Sequence, residues 1–257
     1  MQHFYTGYWS LLVIIRPDSG NWEHTIIIFS YSLLSILVIN NGYIWQGGIV
    51  TGGASGIGKA MVEMLLKQAK VVYIADINEN TSKQIQEEFN QKYGNGKVCF
   101  FKCDTTSAEE MEACFKEVKS SCGALHIVCN NAGIYDEVNW QRMLEINVNG
   151  VIIGTKLAVE YMDGESAGGG VIVNVASVAG LALIPFGGIY ATSKYAVIGF
   201  SRMTATFDPV VIKKKLRVNM LCPPTTDTPL TKTIGAMKPE PRYQKGMTIF
   251  FLPSNLT

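Results

Sequence analysis

Tyr190 and Lys194 stand four residues apart, and Ser177 lies 13 positions before the tyrosine. At that i, i+4 spacing a phenol and an ammonium share one face of a helix. A free phenol has a pKa of about 10 and is a poor base near neutrality. A neighbouring ammonium favours the phenolate and lowers that value. Such a pair can exchange a proton with an alcohol or a carbonyl while a hydride moves to or from a nicotinamide. A serine hydroxyl beside it can hold the substrate oxygen. Taken singly, Tyr190 reads as an ordinary half-buried aromatic and Lys194 as a surface charge.

A second group of residues lies upstream. The stretch Thr51-Gly-Gly-Ala-Ser-Gly-Ile-Gly58 follows the apolar run Gly48-Ile-Val50. It precedes Lys59–Leu66, where apolar residues recur at helical spacing. That order reads strand, glycine turn, helix. Gly52, Gly56 and Gly58 let the backbone turn tightly and let a pyrophosphate come close, while the helix N-terminus offers N–H groups to the phosphates. Alone, such a turn is common. Asp76 ends the next strand, 18 residues after Gly58. An acid there bonds the adenosine ribose hydroxyls and repels a 2′-phosphate. No Arg or Lys lies between Thr51 and Gly58, so the pattern favours NAD over NADP. The plainer reading of Asp76 is a cap on the following helix. Asn130-Asn-Ala-Gly133 ends the fourth strand and faces the same crevice.

The elements that position these residues follow from periodicity. Strands are expected over Ile44–Val50, Lys70–Asp76, Lys97–Cys103, Leu125–Cys129, Gly170–Val175 and Leu216–Leu221. Helices are expected over Ile57–Ala69, Glu79–Tyr93, Asn139–Met162 and Gly188–Phe207. Another runs to about Ser121, opened by a capping box of Ser107 and Glu110. Alternating strands and helices, with nearly continuous apolar strands, imply an α/β fold. The expectation is a single-domain, Rossmann-type, doubly wound parallel sheet with helices on both faces.

Composition bounds the rest. The chain has 257 residues, 47% hydrophobic and 17% charged, with a net charge of +1. That is enough for one sizeable core. No basic stripe points to nucleic acid, and Lys213–Lys215 reads as a solvated helix end. The six cysteines contain no CxxC pair, and free thiols in a reducing, cytoplasmic setting are expected. The three histidines are scattered, so no metal site is expected.

Residues 1–42 do not share the regular pattern and read as an apolar N-terminal extension. Thr25–Ile39 is a 15-residue run without charge, shorter than the roughly 20 residues of a bilayer span. A signal peptide fits poorly, because no basic region opens the chain and no small-residue cleavage site follows the run. A membrane anchor, an apolar segment packed on the domain, and a stretch foreign to the fold remain open. Residues 43–230 form the expected dinucleotide-binding and catalytic domain, and 231–257 a short tail.

The motifs together resemble the short-chain dehydrogenase/reductase family. Thr51–Gly58, Asp76, Asp104, Asn130–Gly133, Asn147, Ser177 and Tyr190-Ala-Thr-Ser-Lys194 follow the family's order and spacing, over about Tyr43 to Leu230. Within the family the chain looks like the group of 15-hydroxyprostaglandin dehydrogenases and insect alcohol dehydrogenases. The resemblance implies that Tyr190 is the acid/base and that Lys194 binds the nicotinamide ribose and tunes Tyr190. It implies that Ser177 orients the substrate oxygen and that Asn147 holds a water for proton relay. On the cofactor side it implies Gly52, Ser55, Gly56, Ile57, Gly58, Asp76, Ile77, Asp104, Asn131, Ala132, Gly133 and Thr228, with Asp104 at the adenine and Thr228 at the carboxamide. It implies a homodimer or tetramer, often packed through the two long helices.

Three departures from the family stand out. Pro223-Pro224 replaces the family's Pro-Gly, so a turn that needs a glycine conformation cannot form unchanged. A glycine is missing between Leu66 and Val71. After Leu230 the family's further helix and last strand are not legible, and Lys238–Arg242 reads as loop. The sheet is then expected to lack its last family strand, leaving the sixth strand's edge bare unless something covers it.

Two function classes stay open. One is an NAD-dependent oxidoreductase interconverting a small apolar secondary alcohol and its ketone, with Ile134, Tyr135, Leu183 and Phe186 as an apolar lining. The other is a non-catalytic dinucleotide-fold relative that only binds.

Overall fold

The computed structural model of the chain describes residues 10–14, 25–29, 45–164, 169–182 and 187–236. Ile44, Leu183, Phe186, Lys238–Arg242 and most of the apolar run 25–39 lie outside them. The strands are β1 (Ser10–Ile14), β2 (Thr25–Phe29), β3 (Trp45–Thr51), β4 (Ala69–Asp76), β5 (Val98–Lys102), β6 (Leu125–Asn130), β7 (Val171–Val175) and β8 (Arg217–Cys222). The helices are α1 (Gly56–Leu65), α2 (Glu79–Tyr93), α3 (Ala108–Cys122), α4 (Trp140–Leu144), α5 (Gly150–Tyr161), α6 (Gly188–Phe207), α7 (Pro209–Lys214) and α8 (Pro229–Ala236).

Side chains alternate faces along each strand, and that alternation builds two cores. Val50, Ile74, Cys129 and Val173 pack with Met61, Val62 and Leu65 of α1 and Ile85 and Phe89 of α2. Their neighbours Ile49, Tyr73, Ala75, Val128 and Ile172 face the other way, onto Met111, Phe115 and Val118 of α3 and Ala158 of α5. A fully buried Val or Ile in such a position contributes about 2 kcal/mol by leaving water. The order β5-β4-β3-β6-β7-β8 is parallel throughout. The order reverses at β3, whose neighbours are β4 and β6. That is the switch point where crevices open at the carboxyl ends of strands.

At the other edge, the expected bare side of the sixth parallel strand is covered. β1 pairs antiparallel with β8, and β2 pairs antiparallel with β1. Thr25–Phe29, part of the uncharged run, is therefore strand.

Several boundaries differ from expectation for identifiable reasons. α1 stops at Leu65 and not Ala69. Lys67 N and Gln68 N bond back to Met64 O and Leu65 O, closing a turn without the missing glycine. The capping box forms only in half. Ser107 Oγ accepts from Glu110 N at 3.2 Å, but the Glu110 carboxylate accepts from Asp104 N at 2.8 Å. The long helix expected over Asn139–Met162 is broken by one wide turn, Glu145–Asn149, with the i→i+5 bonding of a π-helix. α7 and α8 were not expected. Asp208 caps α7 by accepting from Val210 N and Val211 N, with Pro209 in the first turn. Lys214 is not simply solvated, because its ammonium donates to the carbonyls of Val159, Glu160 and Met162 at the end of α5.

All six cysteines are unpaired. Burial pushes the Cys103 and Cys129 thiols up to about 12, so they behave as small apolar side chains. Among the described residues, no helix is long and apolar enough to cross a membrane.

Candidate active site

The glycine stretch joins β3 to α1 at the switch point. Gly52 and Gly56 have φ of +63° and +50°, in the region that L side chains avoid. Gly58 is required by space: a Cβ there would lie 2.1 Å from Gly52 O and 2.6 Å from Asn131 Nδ2. The first bond of the helix runs from Lys59 N to Ser55 O. The N–H groups of Gly56, Ile57 and Gly58 therefore precede the helical ladder. Ser55 is exposed and makes no side-chain cap.

Two strand ends hold this loop. Asp76 Oδ2 accepts from Ala54 N at 3.1 Å, and its Oδ1 accepts from Asn78 N at 2.9 Å. The plain cap on the next helix falls instead to Asn78, which accepts from Thr81 N. Asn131 Nδ2 donates to Thr51 O and Gly52 O, at 3.0 and 3.1 Å. Thr51 Oγ1 accepts from both Asn131 N and Ala132 N. Thr51 opens the motif, yet its hydroxyl was not singled out from sequence. A cradle with forced glycines, leading N–H groups and an acid at the end of β4 fits a dinucleotide.

The outlying residues are placed less uniformly. Ile77 is exposed beside Asp76. Asp104 Oδ1 accepts from the Thr106 backbone and hydroxyl, and Oδ2 from Arg142 Nη2 at 2.7 Å. Burial works to raise its pKa, but those Thr106 and Arg142 bonds outweigh it and hold the carboxyl low. Thr228 comes to the glycine loop despite Pro223-Pro224. Its Cβ lies 3.1 Å from where a Gly56 Cβ would be. Thr231 Oγ1 accepts from Thr228 N and lies 2.9 Å from the Thr226 and Thr228 carbonyls, which share its one proton, fixing that bend.

The reacting group sits at the ends of β7 and β6. Ser177 follows β7, and its Oγ accepts from Ala179 N at 3.1 Å. The short turn Val178–Gly180 then lies on α6, because a Cβ on Gly180 would meet Lys194 C at 2.7 Å. That contact brings Ser177 toward Tyr190, close enough for its hydroxyl to act on the phenol, while Ser177 Oγ itself donates to Pro223 O at 3.5 Å. Tyr190 and Lys194 are both buried on α6. Burial raises the Tyr190 phenol above its ordinary value, and the nearby Ser177 hydroxyl eases it down. Burial also lowers the Lys194 ammonium to about 8. Lys194 Nζ donates to Val175 O at 3.1 Å and lies 5.6 Å from the Tyr190 ring centre.

Asn147 sits in the wide turn, fully buried. Its Oδ1 accepts from Ile134 N and its Nδ2 donates to Ile134 O, both at 2.9 Å. Nδ2 also reaches Ser193 Oγ at 3.2 Å. Gly133 lies between Asn147 and Lys194: the point where its Cβ would be is 3.3 Å from Asn147 Oδ1 and 3.6 Å from Lys194 Nζ. The loop that follows adds two neighbours of Tyr190. The Tyr135 ring is 5.3 Å from the Tyr190 ring. Glu137 accepts from Ile189 N and Tyr190 N. Glu137 carried no signal in the sequence, since its partners are more than 50 positions away.

A family model described as short chain dehydrogenase matches residues 48–239. The 15-hydroxyprostaglandin dehydrogenase [NAD(+)] of Rattus norvegicus is 36% identical over 187 residues, 72% of this chain and 70% of that protein. The 3beta-hydroxysteroid dehydrogenase 2 of Eggerthella lenta is 33% identical over 206 residues, 77% of this chain and 76% of its own. A cyclohexanol dehydrogenase from Acinetobacter sp. is 33% identical over 202 residues, 75% and 78%. Among solved structures, a short-chain dehydrogenase/reductase from Burkholderia phymatum in complex with NAD superposes with a TM-score of 0.68. It is 25% identical, over 77% of this chain and 72% of that one. With the match covering most of its length, this chain belongs to the short-chain dehydrogenase family of oxidoreductases.

Proposed function

We propose that the chain is an NAD-dependent oxidoreductase that interconverts a secondary alcohol and its ketone. The observation that carries this reading is the meeting of Ser177, Tyr190 and Lys194 at the strand ends beside the Gly52–Gly58 cradle. Gly52, Ser55, Gly56, Ile57, Gly58, Asn131, Ala132 and Gly133 would hold the dinucleotide, with Asp76 at the ribose and Thr228 at the carboxamide. Bound there, a nicotinamide supplies the hydride acceptor or donor.

The chain's own residues handle the proton. Ser177 Oγ orients the substrate oxygen toward Tyr190. Tyr190 Oη takes the hydroxyl proton during oxidation and returns it during reduction. Lys194, held by Val175 O, keeps a cation beneath the ring and would hold the nicotinamide ribose. Asn147, beside Gly133 and Lys194, would hold a water for relay to Lys194. Asp76 supports NAD: its carboxylate bonds the loop at Ala54 and leaves a 2′-phosphate facing negative charge.

The substrate class follows from the wall around the phenol. Tyr135, Met143, Ala179 and Tyr190 form one apolar cluster, with Ile134, Ile189 and Leu230 against it. The relatives' names include a hydroxyprostaglandin, a hydroxysteroid and cyclohexanol. A hydroxyl on an apolar carbon frame is common to all three and fits this lining. Exposed Tyr195, Met203 and Phe207 along α6 support a homodimer through that helix, which sedimentation equilibrium would test.

The reading is tested by following NADH formation from a panel of secondary alcohols. Turnover that is lost in Tyr190→Phe supports it. A folded chain that binds NAD but turns over none of the panel favours a binding protein instead.

A further inference from the structure

The helix that carries Tyr190 begins without a cap of its own. Gly187, at the N-cap, has no side chain to offer, and the first turn of α6 holds no acid. The helical ladder opens with Ala191 N bonded to Gly187 O at 2.7 Å. The N–H groups of Ile189 and Tyr190 come before that bond. One carboxylate from another part of the chain takes both. Glu137 Oε1 accepts from Tyr190 N at 2.8 Å, and Oε2 accepts from Ile189 N at 3.2 Å. The positive end of the helix dipole favours an anion at this point.

We infer that Glu137 is a positioning residue, which fixes the Tyr190 phenol by clamping the first turn of its helix to the loop after β6. The inference rests on the reading of Tyr190 as the proton-transfer group.

The clamp works because the loop itself is held on both sides. Ile134 is gripped through its N–H and its carbonyl by the Asn147 amide. Asp136 accepts from Val138 N, Asn139 N and Asn139 Nδ2, and its own N–H donates to Met143 Sδ. Tyr135 packs its ring on Tyr190. Glu137 therefore projects from a braced segment.

Tyr190 is the third residue of α6, so loosening of the first turn displaces it directly. Lys194 lies one turn deeper, buried and anchored to Val175 O. The cradle at Gly52–Gly58 is held by Asp76, Asn131 and Thr51 and makes no use of Glu137. Loss of the clamp should thus fall on turnover and spare cofactor binding. A misplacement of about 1 Å costs a proton-transfer or hydride-transfer site up to about 100-fold.

The test compares the full chain with Glu137→Ala, Glu137→Gln and Glu137→Asp. The reference is an alcohol that the wild type oxidises. Glu137→Ala is expected to lower kcat by about 30-fold while the KM and Kd for NAD stay within about twofold. Glu137→Gln keeps one oxygen for the Tyr190 N–H and is expected to hold kcat within about threefold. Glu137→Asp keeps the charge but shortens the reach, and is expected to lose about fivefold or more. It decides the matter should Glu137→Ala not fold.

The second readout needs no turnover. Tyrosine labelled with 13C at Cζ gives a Tyr190 signal, assigned by its loss in Tyr190→Phe. In Glu137→Ala that signal should shift and its titration should move down toward a free phenol, whereas Glu137→Gln should leave both in place. Unchanged kcat in Glu137→Ala or Glu137→Asp, with an unmoved Tyr190 signal, overturns the inference and leaves Glu137 a stabilising cap only. Equal losses in Glu137→Gln and Glu137→Ala also overturn it. If the wild type binds NAD but oxidises no alcohol, the functional reading fails, and the Tyr190 signal still decides the role of Glu137.

Discussion

Lys194 Nζ lies 5.6 Å from the centre of the Tyr190 ring and bonds the Val175 carbonyl. The ammonium makes no bond to the phenol, and the lowering of the Tyr190 pKa expected from its i, i+4 spacing does not appear; burial raises it instead. Burial keeps Tyr190 protonated past its ordinary value, and only the nearby Ser177 hydroxyl eases it. Oxidation needs the phenolate to accept a proton; reduction needs the phenol to give one. The kcat/KM for alcohol oxidation should accordingly rise with pH from 7 to 9, and that for ketone reduction should not. Steady-state rates in both directions across that range check this. Oxidation that falls as pH rises contradicts it. Ser177→Ala removes the easing hydroxyl and should shift the oxidation profile to higher pH, with turnover down about 100-fold.

Lys194 trades stability for its function. Burial lowers its pKa from the ordinary 10.5 to about 8. Below both values the lysine is charged in the folded and unfolded chain, and the folded chain carries the desolvation cost. As pH rises from 8 to 10.5 the folded chain sheds the proton first and that cost disappears. Lys194→Met should therefore be more stable than wild type at pH 7, by up to about 3 kcal/mol, and the gap should close toward pH 10.5. Thermal melts at pH 7 and above pH 9 measure it, and turnover should be lost at both.

Cofactor choice is expected to rest on Asp76. Asp76→Ser removes the charge that would face a 2′-phosphate and also the acceptor of Ala54 N–H. The ratio of kcat/KM for NADP over NAD should rise by about tenfold or more. An unchanged ratio would mean that Asp76 only braces the glycine loop.

Gly58 tolerates no side chain. A Cβ 2.1 Å from Gly52 O forces the loop and α1 apart. Gly58→Ala is expected to destabilise the fold by about 3 kcal/mol and to abolish the rise in melting temperature that NAD gives the wild type. Denaturant midpoints with and without NAD test both effects.

Local patterns made much of this fold readable. Nearly continuous apolar strands such as Val72–Ala75 and the amphipathic α2 and α3 specify themselves within a few residues. The glycine stretch, Asp76 and the Tyr190–Lys194 pair depend on short spacings, so their placement could be read directly. What escaped depends on distant partners. The wide turn at Glu145–Asn149 aims Asn147 at Ile134, and no local sequence requires it. Gly180 looked like any loop glycine until its contact with Lys194. Glu137 finds its partners across the crevice, and the Glu110 carboxylate chose Asp104 N over the cap geometry that its spacing suggested. The pairing of β1 with β8, and of β2 from the uncharged run with β1, is a long-range choice that apolar composition does not announce.

The central claim is that Tyr190 moves the substrate proton in an NAD-dependent alcohol–ketone conversion. Its most direct test measures NADH formation and NAD binding side by side in the wild type and in Tyr190→Phe. The account predicts turnover of at least one apolar secondary alcohol by the wild type, and a loss of about 1000-fold in Tyr190→Phe with the NAD affinity kept within about threefold. Equal turnover by the two proteins, at equal NAD affinity, would contradict it.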